Sequence, residues 1–144
     1  MAKAFDWSSY PHFCREEMKC QCGCGAIGKD PDSLSEVLRL LEKVRKLVGG
    51  KLPINITSGY RCPSHNIRKP DLKSKWGVPG AGGVRGSYHT KNKAVDFWVP
   101  GLKPEQLALI AKKAGFLGVG IYYDRGFIHC DIGDNRMWHK GTPN

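Results

Sequence analysis

The chain has 144 residues, enough for one domain with a hydrophobic core and too few for two. Apolar residues make up 40% of it and charged residues 25%, a balance that argues against an intrinsically disordered protein. No apolar run approaches the roughly 18 residues of a membrane helix, and Met1 to Tyr10 carries no signal-peptide core. We therefore expect a soluble protein without a transmembrane segment, made in the cytoplasm.

Positive charge is concentrated in the middle of the chain. The formal net charge is +10, and residues 37–93 alone carry 13 basic and 2 acidic side chains. This asymmetry predicts an anionic partner facing that stretch, with a merely solubilising surface as the alternative. Proteins that bind single-stranded nucleic acid interleave aromatic and basic residues, whereas this stretch has only three aromatic residues. We therefore expect no nucleic-acid partner, and we expect the chain to act as a monomer.

Four of the six cysteines lie close together near the N-terminus, at Cys14, Cys20, Cys22 and Cys24. Reduced thiols are the default where no signal peptide is recognised. The spacing C-x5-C-x-C-x-C lacks the paired C-x2-C arms of a zinc ribbon. A second, structural metal ion at these four residues is therefore the weaker alternative, and their state is left open.

The first thirty residues are irregular and rich in glycine and cysteine. A helix follows, because apolar residues repeat at helical spacing from Leu34 to Val48. Ser33 and Glu36 have the spacing of a capping box at its start. The sequence therefore divides into a Cys/Gly-rich segment, residues 1–31, packed on a domain of residues 32–144.

Short strands and one more helix are predicted in the rest of the chain. Alternating residues indicate strands over 54–57, 93–99, 119–122 and 127–131. A second helix begins at Pro104 and ends at Gly115. The aperiodic stretch 62–86 reads as a long loop of the kind that forms one wall of a binding cleft. The sum is a single small α+β domain with an antiparallel sheet of about four strands, two main helices and a long loop bordering a cleft.

Two segments each join an imidazole to a carboxylate. His89 is followed by Asp96, which lies on a strand between apolar neighbours, where a buried carboxylate needs a cation or hydrogen bonds. His129 and Asp131 share one face of a later strand. Two histidines and one aspartate leave the fourth position of a zinc ion open for water, as in catalytic sites. The alternative is that Asp96 pairs with a nearby arginine or lysine.

The same residues resemble the zinc D-Ala-D-Ala peptidase superfamily, whose members cut peptidoglycan peptides. Its signature is S-x-H-x-x-G-x-A-x-D followed by a strand with H-x-D, and here it runs from Ser87 to Asp131. The segments 57–62, similar to the family's S-G-Y-R, and 118–123 extend the resemblance to roughly residues 34–138. The chain also looks like the branch of phage endolysins and murein endopeptidases.

This resemblance implies a zinc metallopeptidase that hydrolyses an amide bond in peptidoglycan stem or cross-link peptides, in cell-wall lysis or remodelling. The enzyme would be a D,D-endopeptidase or carboxypeptidase, or an L-alanyl-D-glutamate endopeptidase, and a phage-encoded endolysin is one setting for it. The polyanionic cell wall is then the expected partner of the basic stretch, which we expect to frame the approach to the cleft.

The resemblance also assigns roles to individual residues. His89, Asp96 and His129 would hold one Zn²⁺ ion. Arg61 and Ser87 match positions on the substrate side, where Arg61 would bind a peptide carboxylate through two hydrogen bonds. The alternatives are a surface ion pair for Arg61 and a capping hydroxyl for Ser87.

Two departures from the family pattern concern the backbone and the general base. Asn92 replaces a glycine, and asparagine tolerates a left-handed backbone better than most residues. Gly126 occupies the position at which many relatives carry the Asp or Glu that acts as the general base. We therefore expect Asp131 to act as the base, with Asp124 as a second candidate; the alternative role of Asp131 is to orient His129. Without a base, the alternative function is a non-catalytic zinc-containing module that binds cell-wall peptide.

Three other side chains complete the expectations. His65, in the loop after the S-G-Y-R segment, is either a proton donor to the reacting carbonyl or simply exposed. Tyr122 and Trp138 are expected to pack in the core.

Overall fold

A computed structural model describes residues 5–75, 77–84 and 86–143. The helices are α1 (Arg15–Met18), α2 (Pro31–Leu47), α3 (Pro63–Ile67) and α4 (Pro104–Ala114), and the strands are β1 (Asn55–Ser58), β2 (Ala94–Trp98), β3 (Gly118–Tyr122), β4 (Phe127–Asp131) and β5 (Arg136–Lys140). Short 3₁₀ turns occupy Trp7–Ser9 and Tyr88–Lys91. The predicted α+β class is confirmed. Within the described ranges, the helices are too short or too polar to cross a membrane.

Within the residues that the structure describes, the sheet has five strands rather than the expected four, in the order β1-β2-β4-β3-β5. All neighbours pair antiparallel except β3 and β5, which run parallel. Strand β5 escaped prediction because it is an edge strand in which no side chain is fully buried. An apolar alternation is therefore not needed to hold it, and none is present in its sequence.

The two predicted long helices are confirmed, but the first begins differently than expected. Asp30 is its N-cap: the carboxylate accepts a hydrogen bond from the backbone N–H of Ser33 at 3.0 Å and from the Ser33 hydroxyl at 2.7 Å. Pro31 fills the first helical position, where no N–H is needed. The predicted capping box at Ser33 and Glu36 is therefore wrong. A cap of the observed kind contributes about 1 kcal/mol to helix stability.

The sheet has one apolar face and one polar face. Alternate residues of β2 and β4, such as Phe97, Ile128 and Cys130, are buried in the hydrophobic core together with residues of α2 and α4. The intervening residues Asp96 and His129 point to the opposite face, because successive side chains of a strand alternate. The core thus supports one face of the sheet, and the polar residues project from the other.

Two side chains that precede α2 reach the hydrophobic core of the sheet and the long helices. Phe13 and Met18 are buried and belong to the same core as α2 and α4. The backbone N–H of Tyr60 donates to the carbonyl of Met18 at 2.8 Å, immediately after β1. Farther along, α3 interrupts the loop predicted between Cys62 and Gly86.

Candidate metal centre and its cavity

The two strands and a 3₁₀ turn bring His89, Asp96 and His129 together. Asp96 of β2 lies directly opposite His129 of β4 in the antiparallel register. His89 reaches them from the turn Tyr88–Lys91, at whose start the Ser87 hydroxyl accepts a hydrogen bond from the N–H of His89. The Oδ1 atom of Asp96 lies 3.2 Å from His89 Nε2 and 3.0 Å from His129 Nδ1, and the two ring nitrogens lie 3.2 Å apart.

In each histidine ring, the nitrogen that faces away from Asp96 has a hydrogen-bond partner. His89 Nδ1 lies 2.8 Å from the carbonyl oxygen of Gly59, and His129 Nε2 lies 2.7 Å from Oδ2 of Asp131. Both partners can accept hydrogen bonds, so a ring in its neutral form would donate outward and turn a lone pair toward Asp96. Three electron-pair donors then face one point, which is the arrangement that a cation stabilises.

The spacing of these three atoms fits zinc. Zinc bonds of about 2.0–2.1 Å in a tetrahedron place neighbouring ligand atoms about 3.3–3.4 Å apart. The separations of 3.0–3.2 Å are close to that edge length. All three residues are buried, as a metal centre at the base of a cavity requires.

Asp96 is held as a carboxylate. Burial opposes its ionisation, yet in the metal-free protein the pKa of Asp96 lies well below its usual value, because the His89 and His129 rings stabilise the charge when they present an N–H to it. Its second oxygen accepts a hydrogen bond from Arg61 Nη2 at 2.9 Å. Arg61 also donates to the Ser58 hydroxyl at 2.9 Å, so the guanidinium is a fixed support for Asp96.

Arg61 and Ser87, expected on the substrate side, both line the cavity. Most of the Arg61 side chain is buried, and its contact with Asp96 is a buried ion pair and not the surface pair of the alternative. Ser87 accepts a hydrogen bond from the N–H of His89 at 3.2 Å, so it is a capping residue that also faces the cavity. Binding of substrate by either residue stays a prediction.

Asp131, the favoured base, lies behind His129 and is fully buried. Its Oδ2 receives His129 Nε2 at 2.7 Å and Arg136 Nη2 at 2.9 Å, while Oδ1 receives the N–H of Gly133 at 3.0 Å. Burial alone would raise the pKa of Asp131, but the hydrogen bonds from His129 and Arg136 outweigh it and lower the pKa. A carboxylate with both oxygens occupied and a lowered pKa is a poor proton acceptor. The contacts favour the alternative role, in which Asp131 orients His129.

Asp124, the second candidate base, is exposed in the turn between β3 and β4 and is not among the described residues of the cavity wall. Its carboxyl group lies against Gly141. Gly126 in the same turn has φ +73°, a left-handed conformation that disfavours side chains. The backbone of the turn at this position therefore favours glycine over an acidic residue.

The cavity above the centre has a volume of about 360 Å³. The cationic side chains that line its described part are Arg61, Arg125, Arg136 and Lys140. Three of these four lie outside residues 37–93, so the C-terminal strand β5 and the turn between β3 and β4 supply much of the positive charge that we expected from the middle of the chain. Tyr122 and Trp138 also line the cavity, which corrects their expected place in the core.

Two further expectations have clear outcomes. Asn92 has φ +58° and ψ +25° at the end of the 3₁₀ turn, so the prediction that it takes the left-handed place of a glycine is confirmed. His65 is buried rather than exposed, and within the described part of the chain its Nδ1 has no hydrogen-bond partner. It lines an adjoining cavity that shares Arg61 and Asp96 with the first.

The cysteine cluster has a different membership from the one expected. Cys14 is exposed and lies outside it, whereas Cys62, which is distant in the sequence, joins Cys20, Cys22 and Cys24. Sequence spacing gave no signal for Cys62, because β1 and the turn after it deliver this thiol from a distant part of the chain.

Comparison with known proteins agrees with the geometry. The model of the peptidase M15 family matches residues 11–131. The peptidoglycan L,D-endopeptidase MepK of Escherichia coli K12 is 32% identical over 111 residues, which cover 76% of this chain and 54% of that protein. The probable peptidoglycan L,D-endopeptidase MepK of Haemophilus influenzae is 35% identical over 89 residues, 62% of this chain and 44% of that protein. The chain thus spans about half the length of the curated relatives it matches. It belongs to the peptidase M15 family.

Proposed function

We propose that this protein is a zinc-dependent peptidase that hydrolyses an amide bond in peptidoglycan stem or cross-link peptides. The observation that carries the proposal is the convergence of His89, Asp96 and His129 at the base of a cavity, with ligand atoms 3.0–3.2 Å apart. The names of the two relatives favour an L,D bond as the site of cleavage. The resemblance to phage endolysins extends the proposal to cell-wall lysis.

The residues around the centre have separable tasks in this proposal. A zinc ion held there would lower the pKa of a bound water toward ~7 and polarise the scissile carbonyl. Asp131 fixes the ring of His129, and Arg61 fixes the carboxylate of Asp96, so that neither ligand reorients during the reaction. We accordingly propose Asp131 as a positioning residue.

The charge of the cavity supports a peptide substrate with free carboxylates. Arg125 and Lys140 line it on the side of β3, β4 and β5, above Phe127 and Tyr122. Peptidoglycan stem peptides carry carboxylates, and paired cations bind such groups with both charge and hydrogen bonds. The same charge favours approach to a polyanionic wall.

A second candidate function is a zinc-containing module that binds cell-wall peptide without cutting it. One observation favours it: Asp96 is the only carboxylate among the described residues that line the cavity, and both of its oxygens have partners. The two functions differ in whether the bound peptide is cut, and one experiment measures this.

The experiment is digestion of purified peptidoglycan with product analysis by mass spectrometry. We expect the zinc-loaded protein to release peptides whose masses identify the bond cut, as L,D, D,D or L-alanyl-D-glutamate. We expect His129→Ala to lose this activity and His139→Ala, an exposed histidine outside the centre, to keep it. Wall binding by zinc-loaded protein without any released product would refute the peptidase and support the binding module.

A further inference from the structure

A second group of metal-ligating side chains lies outside the centre described above. The Sγ atoms of Cys20, Cys22, Cys24 and Cys62 all lie within 4.8 Å of one another. Cys20 and Cys22 are buried, and Cys24 is at the surface. Neither the family match nor the relatives' names assign a role to this group. We propose that these four cysteines bind a structural zinc ion.

The distances favour zinc over a disulfide. Cys22 Sγ and Cys62 Sγ are 3.7 Å apart. Zn–S bonds of about 2.3 Å in a tetrahedron give S···S edges of about 3.8 Å, whereas a disulfide requires about 2.05 Å. A single disulfide would use two of the four thiols, while one zinc ion uses all four.

The local backbone is suited to a metal knuckle. Gly23 and Gly25 have φ +98° and +68°, and these left-handed turns bring alternate cysteines round to one point. The N–H of Cys62 donates to Cys20 Sγ at 3.3 Å, and the N–H of Ala26 donates to Cys24 Sγ at 3.5 Å. Such donors stabilise the negative charge of thiolate ligands, which zinc requires.

The position of the group indicates what the ion does. Residues 59–62 run between the N-terminal segment and the His/Asp/His centre, and their backbone contacts alternate between the two. Tyr60 N–H donates to Met18 and Cys62 N–H to Cys20 Sγ, while Arg61 N–H donates to the carbonyl of His89 at 3.1 Å. A zinc ion at the cysteines would therefore fasten the N-terminal segment to the stretch that carries Arg61. The ion would therefore have a structural role, and it would stabilise the His/Asp/His centre through this stretch.

Cobalt substitution tests the proposal directly. Chelator-treated protein is kept reduced and loaded with Co²⁺, and its absorption spectrum is recorded. Thiolate ligands give Co²⁺ an intense near-ultraviolet charge-transfer band that histidine and carboxylate ligands do not produce. We expect this band in the wild type, whatever the outcome of the peptidoglycan digestion. Its absence in reduced, folded protein would overturn the proposal.

Two matched variants locate the ion. Cys62→Ser should lose one equivalent of zinc per chain and weaken the cobalt band, whereas Cys14→Ser, which removes an exposed cysteine outside the group, should match the wild type. If Cys62→Ser does not fold, Cys24→Ser at the surface replaces it. Full zinc content and an unchanged band in a folded variant of the group would refute the assignment. So would a Cys22–Cys62 disulfide found by mass spectrometry in protein purified without reductant.

Discussion

Replacing Asp131 by asparagine separates two roles for this carboxylate. In the structure it accepts hydrogen bonds from His129 and Arg136 and lies on the far side of the His129 ring from Asp96. Asparagine keeps the shape but loses the charge, and its amide nitrogen cannot accept from either donor. If Asp131 orients His129, the substitution acts on metal binding. If it is the general base, the substitution acts on turnover.

The size of the effect follows from the contacts. Loss of a carboxylate behind a metal-bound histidine lowers metal affinity about 10–100-fold, equivalent to about 1.4–2.8 kcal/mol. Arg136 is also left without its buried partner, but its side chain is 38% exposed, so water compensates much of that loss. We therefore expect Asp131→Asn to fold and to bind zinc about 10–100-fold more weakly at the His/Asp/His centre.

The assay is a zinc competition titration with a chromogenic chelator, followed by hydrolysis of peptidoglycan at saturating zinc. We expect weakened zinc binding and recovery of most of the turnover once zinc is saturating. Asp134→Asn is the matched control, because this exposed carboxylate accepts a bond from Tyr88 and makes no contact with His129. Unchanged zinc affinity combined with lost turnover at saturating zinc would show that Asp131 is the base.

Three further predictions concern neighbouring groups. Arg61→Lys should lower kcat about tenfold with little change in KM in peptide hydrolysis, because a lysine cannot donate to Asp96 and to the other acceptors of Arg61 at the same time. A rise in KM alone would instead indicate that Arg61 binds substrate. Gly120→Ala should cost about 1–3 kcal/mol in thermal unfolding, because its Cβ would collide with the ring of Trp138, and an unchanged Tm would contradict that packing. Burial opposes protonation of His129, but Asp131 and Asp96 raise its pKa in the metal-free protein. A proton then competes with zinc, so zinc affinity should fall as the pH falls through that pKa; affinity independent of pH would contradict this.

Local patterns in the sequence predict most of the elements. The strand over residues 127–131 has the expected bounds, because alternating residues record which side faces the core. The same alternation places His129 and Asp131 on one face. The sequence does not reveal that Asp96 lies opposite His129, because cross-strand register depends on long-range pairing. The resemblance to a known family supplied that step.

The role of Asp131 depends on an element that the sequence pattern did not predict. Arg136, which binds its carboxylate through two nitrogens, begins the exposed edge strand β5. Trp138 of the same strand reaches the cavity only because Gly120 on the adjacent strand leaves room for its ring. Neither contact has a signature in local hydrophobicity, since Arg136 and Trp138 are both partly exposed.

Long-range contact also explains the error in the cysteine cluster. Spacing along the chain grouped Cys14 with Cys20, Cys22 and Cys24, since these are neighbours in sequence. The fold replaces Cys14 by Cys62, which lies in the turn after β1 and meets the N-terminal segment near the hydrogen bond from Tyr60 to Met18. The glycines between the cysteines were a usable signal for a tight turn, but they do not identify the fourth ligand.

The zinc content of His89→Ala, measured per folded chain beside the wild type, tests the central claim most directly. We predict two zinc ions per wild-type chain, one at the His/Asp/His centre and one at the cysteines, and one in the variant, together with loss of peptidoglycan hydrolysis. Equal zinc content in the two proteins would contradict the assignment of His89, Asp96 and His129 as the metal centre.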